Sequence, residues 1–356
     1  MNMLNQILDS FGLDPASHRV GVFGAGLINH TYKIEGNHSA YILQKINTSV
    51  FKRPVDIADN LSLINHYLKQ THPGYLFAAP LQAASGKYLV QTNDGDVYRL
   101  LPFVPNSHTI NVVRHERQAF EAARQFARFT RLMNHFDPQL LKYTLPDFHN
   151  LNLRYGQFED SLKQSSAERL QAADAAISKV NAFSFIKEKY NGLIAENRIP
   201  LRVIHHDTKI NNVLFDAAEN GLCVIDLDTI MPGYFMSDTG DMLRTYLSPV
   251  NEEEKDLSKI SINEDFFRGI YRGYMCEMGD LITQSERENF LFSGKMMIYM
   301  QALRFLTDYL NNDSYYGSAY PGHNLSRAQN QITLLEKFCA AEDKLQEIIA
   351  IAEKEY

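Results

Sequence analysis

The chain has 356 residues, 45% of them apolar and 22% charged, a balance that fits a folded globular protein and excludes a disordered one. Its formal charge of −7 lacks the basic excess that nucleic-acid backbones demand, so no nucleic-acid partner is expected. Cys223, Cys276 and Cys339 stand too far apart for a zinc knuckle or a disulfide framework, which points to a reducing, cytoplasmic setting.

The opening residues place Leu4, Ile7, Leu8 and Phe11 on one helical face, without the basic flank or apolar core of a signal peptide. No run approaches the ~20 apolar residues that cross a bilayer, so no membrane partner is expected. Short β-favouring runs at 19–23, 31–35 and 41–45, divided by Gly- and Asn-containing turns, read as an antiparallel meander. A helix over 55–70 follows, with Ile57, Leu61, Ile64 and Leu68 at helical spacing. Strands at 88–92 and 97–103 are then joined through Asn93-Asp94-Gly95.

Pro102 and Pro105 bracket Phe103 and Val104, and helical patterns dominate beyond Asn106. This sets an expected boundary between an N-terminal lobe, 1–105, and a C-terminal lobe, 106–356. An amphipathic helix over 114–136 carries Phe126, Phe129, Leu132 and Phe136, and 158–191 and the chain from 266 onward are helix-rich. Ser285 with Glu288 reads as a capping box.

The segment from Leu201 to Asp228 carries the chemistry. Val213 to Phe215 and Leu222 to Ile225 are β-rich runs linked by a loop ending in Asn220-Gly221, a hairpin signal. Pairing Phe215 with Cys223 sets Asn212 beside Asp226, an amide oxygen next to a carboxylate, a hard donor set suited to Mg²⁺. Asp228, two residues on, is expected on the same strand face as a further ligand. His205, Asp207 and Asn212 match the H-x-D-x-x-x-x-N loop of phosphoryl-transfer enzymes, with Asp207 as the hydroxyl-orienting base and His205 as a buried support of the loop. Reading His205-His206-Asp207 as hydrolase metal ligands lacks a second cluster with convincing spacing.

These residues resemble the motifs of the aminoglycoside phosphotransferase and choline kinase-like superfamily, which implies an α+β, two-lobed protein-kinase-like fold with ATP and Mg²⁺. More narrowly, Tyr41-Ile-Leu-Gln44 with Asn47-Thr-Ser49, Ile225-Asp-Leu-Asp-Thr-Ile-Met-Pro-Gly233, Arg304-Phe-Leu306 with Asp308-Tyr-Leu310, and Tyr320-Pro321 with His323-Asn-Leu325 resemble the N-acetylhexosamine 1-kinase family. That resemblance spans nearly the whole chain and implies phosphorylation of the anomeric hydroxyl of N-acetylglucosamine or N-acetylgalactosamine. The same motifs leave open a kinase of another small alcohol, such as choline, homoserine or an aminoglycoside. A catalytically silent nucleotide-binding module is the remaining alternative.

Further positions acquire expected roles in this frame. Lys209 takes the place of a phosphate-neutralising lysine, its alternative being a solvated surface side chain. Asp238 either holds the catalytic loop from a helix start or caps that helix. Gly24, Gly26 and Asn29 lie between strands, either as a phosphate-covering hairpin or as an ordinary glycine turn. Gln44 occupies the place of the strand lysine of protein kinases, with Asn60 as its best polar partner, and Lys45 points to the opposite face. The Pro102 carbonyl and the Val104 amide are expected to meet adenine. Arg304, Arg244 and Tyr315 are the candidates for sugar recognition, an Arg304–Asp308 surface pair being the plain alternative.

Overall fold

The computed structural model describes residues 3–24, 28–37 and 39–354. They divide into two compact units, the first formed by 1–107, 135–146 and 225–232, the second by 108–134, 147–224 and 233–356. The expected cut after residue 105 therefore omits two returns of the chain to the first unit.

In the first unit, helix α1 (Met3–Ser10) precedes strands β1 (Arg19–Val22), β2 (His30–Glu35) and β3 (Ala40–Ile46), then helix α2 (Pro54–Thr71) and strands β4 (Val90–Gln91) and β5 (Val97–Pro102). The sheet is antiparallel in the order β1-β2-β3-β5-β4. Its apolar face is covered by α1 and the residue after it, where Ile7, Leu8 and Phe11 join Ile34, Leu43, Tyr98 and Leu100 in one cluster. Proline in the first turn of α2 costs no backbone bond, and Ile57, Leu61, Ile64 and Leu68 are all buried. The turn before β5 needs Gly95, whose φ is +86°.

The second unit begins with α3 (Glu116–Leu132), shorter at both ends than its apolar pattern. The helix-rich stretch that follows is broken into α4 (Leu151–Gln164), α5 (Ala167–Ala182) and α6 (Phe185–Ala195). Local caps set two of these starts, Asn150 accepting from the Leu153 amide and Ser166 from the Arg169 amide. Strands β6 (Arg202–Ile204), β7 (Val213–Phe215) and β8 (Gly221–Val224) lead to α7 (Phe235–Tyr246), α8 (Glu264–Met278), α9 (Gln284–Glu288), α10 (Phe290–Leu310), α11 (His323–Ala340) and α12 (Glu342–Ala352).

The capping box of α9 is Thr283 with Glu286, two residues before the expected pair. Both tetrapeptides fit the pattern, but Glu286 is also the buried partner of the Arg202 guanidinium, at 2.7 Å from two of its nitrogens. On α8, Gly269 and Gly273 leave no room for a Cβ against the carbonyls of Glu116 and Phe120 on α3.

The β7–β8 hairpin forms, but its register differs by one residue from the expected pairing. Leu214 faces Cys223 and Val213 faces Val224, with a bulge that puts Phe215 opposite Gly221. Asn212 therefore does not pair with Asp226. The reason lies in Gly221, which reads as a turn residue yet belongs to β8. There an added Cβ would come within 2.6 Å of Gln125 and 3.1 Å of the Glu121 carbonyl on α3. The turn is made instead by Asp216, whose carboxylate accepts from the Ala218 and Asn220 amides, and by Glu219 at φ +59°.

Candidate active site

The loop from His205 to Asn212 belongs to the second unit and is fastened from α7. Asp238, in the first turn of that helix, accepts from the backbone amides of His205 (3.0 Å) and His206 (2.6 Å), and Asp241 accepts from the Thr208 amide at 2.9 Å. The Thr208 hydroxyl donates to the Asp238 carbonyl at 2.8 Å, and the Tyr246 hydroxyl donates to the Thr208 carbonyl at 2.5 Å. Asp238 thus holds the loop, while Tyr234 occupies the helix cap that was its alternative. Burial pushes its carboxyl up to about 7, the two amides opposing the shift and the charges of Asp241 and Asp207 adding to it.

His205 is fully buried, edge-on to Phe126, and its Nδ1 accepts from the Asp207 amide at 3.3 Å. His206 takes a left-handed backbone, φ +68°, and its ring lies so close to Gly233 that no Cβ fits there.

Asp207 ends this scaffold. Asn212 donates its amide nitrogen to the Asp207 carbonyl (2.9 Å) and to Oδ2 (3.0 Å), while the exposed Lys209 ammonium lies 3.3 Å from Oδ1. Burial pushes the Asp207 carboxyl up, but the charges of Lys209 and His205 and the bonds from Lys209 and Asn212 outweigh it and hold the group below its ordinary range. Lys209 is raised in turn, first by Asp207. The oxygen end of the Asn212 amide is not used by these bonds.

Asp226 belongs to the first unit and leaves the strand with φ +58°, ahead of a 3₁₀ turn over Leu227–Thr229. That turn removes the strand alternation on which the Asp228 expectation rested. Asp228 is 1% exposed and both of its oxygens are engaged, Oδ1 by the Arg99 guanidinium and Oδ2 by Asn29 at 2.8 Å. It is a buried ion-pair partner and not a metal ligand. Asn212 in the second unit and Asp226 in the first each offer a hard-oxygen donor, and among the described residues no group of three or more His, Cys, Asp or Glu is placed to hold a metal. Amide and carboxylate oxygens suit Mg²⁺, which takes its other ligands from water and phosphates, and not the N/S donor sets of Zn²⁺.

Other expected positions fall in the first unit. Gly24 has φ +75°, and open space surrounds the place of a Cβ; Gly26 lies outside the described residues. Beside Gly24, Phe23 meets Phe103 edge-on at 6.2 Å. The Val104 carbonyl accepts from the Ser107 hydroxyl at 2.7 Å. Asn29 is not a phosphate contact: it is buried, donates to Asp228 and accepts from the Asn47 amide at 2.9 Å.

Gln44 does not meet Asn60. Its oxygen accepts from Arg99 Nε (2.9 Å) and Nη2 (2.7 Å), whereas Asn60 bonds the Lys142 backbone and the Ile230 carbonyl. Lys45 points the other way, to Asp96 at 2.6 Å.

Of the sugar candidates, Arg244 is withdrawn. It is buried between Asp241 (2.8 Å) and Glu252 (2.7 Å), a structural clamp. Arg304 does not pair with Asp308, which accepts from the Tyr315 and Tyr316 amides and from Asn324. Its guanidinium lies 5.5 Å from the rings of Phe148 and Tyr316 and 6.0 Å from that of Tyr315, with one hydrogen bond, to Gln301 at 3.2 Å. Phe148 stacks on His149 (4.3 Å), whose ring lies 5.5 Å from that of His206, next to Asp207. Burial, with the charges of His206 and Arg304, keeps His149 well below the usual histidine range and hence neutral.

Arg99, Thr208, Asp241 and His149 were not singled out from the sequence. Only Arg99 carried a signal, as a charge between apolar residues in the run Val97-Tyr-Arg-Leu-Leu101.

A sheet-plus-helix first region, a helical second region and an H-x-D-x-x-x-x-N loop together describe a protein-kinase-like phosphotransferase, and comparison with known proteins agrees. Residues 19–257 match the family model described as "APH: Phosphotransferase enzyme family". The match covers more than half of the chain, and the chain belongs to that family.

Among solved structures, it is similar to an aminoglycoside phosphotransferase from Alicyclobacillus acidocaldarius (TM-score 0.64, 14% identity, covering 98% of this chain and 95% of that one). It is similar also to amicoumacin kinase hAmiN in complex with AMP-PNP, Ca²⁺ and Ami (0.62, 16%, 94% and 92%). A microcompartment-associated aminopropanol kinase gives 0.59 at 16% identity, covering 97% and 98%. At such identities the likeness establishes the fold.

Proposed function

We propose that this phosphotransferase is an ATP- and Mg²⁺-dependent N-acetylhexosamine 1-kinase. The observation that carries phosphoryl transfer is Asp207, an ionised carboxylate on a loop tied to α7 by three backbone amides, with Lys209 and Asn212 against its oxygens. In this reading Asp207 takes the proton of the anomeric hydroxyl as that oxygen bonds the γ-phosphorus and the bond from phosphorus to the ADP oxygen breaks. A carboxyl held below its ordinary range is a weak base. The anomeric hydroxyl suits it, being more acidic than a simple alcohol because the ring oxygen withdraws electrons. Lys209 supplies positive charge beside the transferred group. Asn212 and Asp226 are the metal-ligand candidates, and Mg²⁺, when bound, neutralises phosphate charge.

The sugar assignment is supported by the motif resemblance and by Arg304. Arg154, lowered first by burial and then by the Arg304 charge, with Asp147 opposing the shift, shares this region. The guanidinium of Arg304 offers N–H donors that suit the hydroxyl and acetamide oxygens of a neutral sugar. The test is ADP release with Mg²⁺, ATP and a panel of N-acetylglucosamine, N-acetylgalactosamine, choline, homoserine and an aminoglycoside, followed by phosphorus NMR of the product. A sugar 1-phosphate is expected, and turnover of the amino alcohols alone would sink the assignment. Arg304→Ala is expected to raise the acceptor KM at least about ten-fold with the ATP KM unchanged, as loss of a uniform binding contact does.

A further inference from the structure

In protein-kinase-like sites the cation of the small sheet stands on the third strand. Here that position is Gln44, and the cation stands directly opposite it on β5, as Arg99. Gln44 uses its single amide oxygen to take two guanidinium N–H groups, which directs Nη1 to Asp228 Oδ1. A lysine at 44 would set a second cation against Arg99, so the neutral residue and the displaced cation explain each other.

What Arg99 holds is a turn. Asp228 also accepts from Asn29 on Oδ2, its carbonyl accepts from the Thr144 hydroxyl at 2.7 Å, and the Ile230 carbonyl accepts from Asn60 at 3.2 Å. Donors from β5, from the residue before β2 and from the 135–146 return thus converge on Asp228, and one from α2 holds Ile230 beside it. Two positions upstream stands Asp226 in a left-handed conformation, which a non-glycine residue keeps only when its surroundings over-determine it. Arg99 and Asp228 are 2% and 1% exposed, too deeply placed to touch substrate.

We propose that the Arg99–Asp228 pair is a positioning device that replaces the strand lysine, holding the 227–229 turn and through it the carboxylate of Asp226 in its metal-binding attitude. The proposal rests on the phosphotransferase reading with Asp226 as a ligand.

The test compares wild type with Arg99→Lys, Asp228→Asn and the double variant Arg99→Met/Asp228→Leu, in which both buried charges are exchanged for apolar groups so that neither is left unpaired. Mn²⁺ binding in the presence of ATP is read by paramagnetic resonance and Mg²⁺ half-saturation by turnover. Loss of outer-shell support is expected to weaken Mn²⁺ binding at least about ten-fold in the folded double variant, with the acceptor KM within about two-fold. Arg99→Lys should recover part of the affinity, because one ammonium cannot serve Gln44 and Asp228 together in the same geometry. Wild-type Mn²⁺ affinity in the double variant, or in the isosteric Asp228→Asn should the double variant not fold, would overturn the positioning role. Asp226→Asn in an otherwise unaltered chain tests the underlying reading separately: unchanged Mn²⁺ binding there would remove Asp226 as a ligand.

Discussion

Two short segments carry the candidate chemistry, and they are secured in opposite ways. The loop from His205 to Asn212 is held by its backbone: amides of His205, His206 and Thr208 donate to carboxylates of one helix. The turn that follows Asp226 is held mainly by a side chain, with Asp228 drawn into an ion pair and a hydrogen bond from the sheet side of the first unit. Backbone fastening fixes a loop whatever side chains it displays, so Asp207 and Lys209 are presented without being part of the anchor. Side-chain fastening ties the turn to particular residues, and a change at Arg99 must be answered at Asp228.

Breaking the presented group comes first. Asp207→Ala is expected to cut turnover by about 10²- to 10⁴-fold in an ADP-release assay while the melting temperature holds, since the anchor does not include its carboxylate. Asp228→Ala leaves Arg99 as an unpaired buried cation and should cost about 3–5 kcal/mol in denaturant unfolding. Asp238→Ala strands two loop amides, with about 1–3 kcal/mol expected for each buried group left unpaired, so the two anchors can be ranked by the same experiment.

A pH series sharpens the contrast. With its folded pKa raised to about 7, Asp238 favours the protonated native state, so its contribution is full below the unfolded carboxyl pKa and is lost as pH rises through about 7. The melting-temperature advantage of wild type over Asp238→Asn should therefore shrink between pH 5 and pH 8, and a growing advantage would contradict the assigned environment. Thr144→Val removes one neutral bond to the Asp228 carbonyl and should cost only about 1 kcal/mol.

Much of this arrangement was legible in the chain. Apolar periodicity located α1 and α2, because residues such as Ile57, Leu61, Ile64 and Leu68 can be buried together on one helical face, and β-favouring runs between Gly- and Asn-containing turns located the sheet strands. The spacing of His205, Asp207 and Asn212 located the loop, whereas for Asp238 the sequence leaves loop support and helix cap equally open and the contacts to the His205 and His206 amides decide it. The hairpin register was not legible, since Gly221 serves close packing against α3 and a glycine chosen for space looks the same as one chosen for a turn. Nor were the partners of Gln44, Asn29 and Asp228, because each is satisfied by a residue distant in sequence. A lone charge in a strand, as at Arg99, tells a reader that a partner exists without saying where.

The glycines of α8 bear on how such a protein diverges. Gly269 and Gly273 let α8 lie against the carbonyls of α3, and α3 in turn supplies Glu121 and Gln125 to Gly221 of the hairpin. A single methyl gained on α8 would be felt at the base of the phosphoryl-transfer machinery, whereas Arg304 lies on α10, outside that relay. Substitutions around Arg304 therefore leave this bracing untouched.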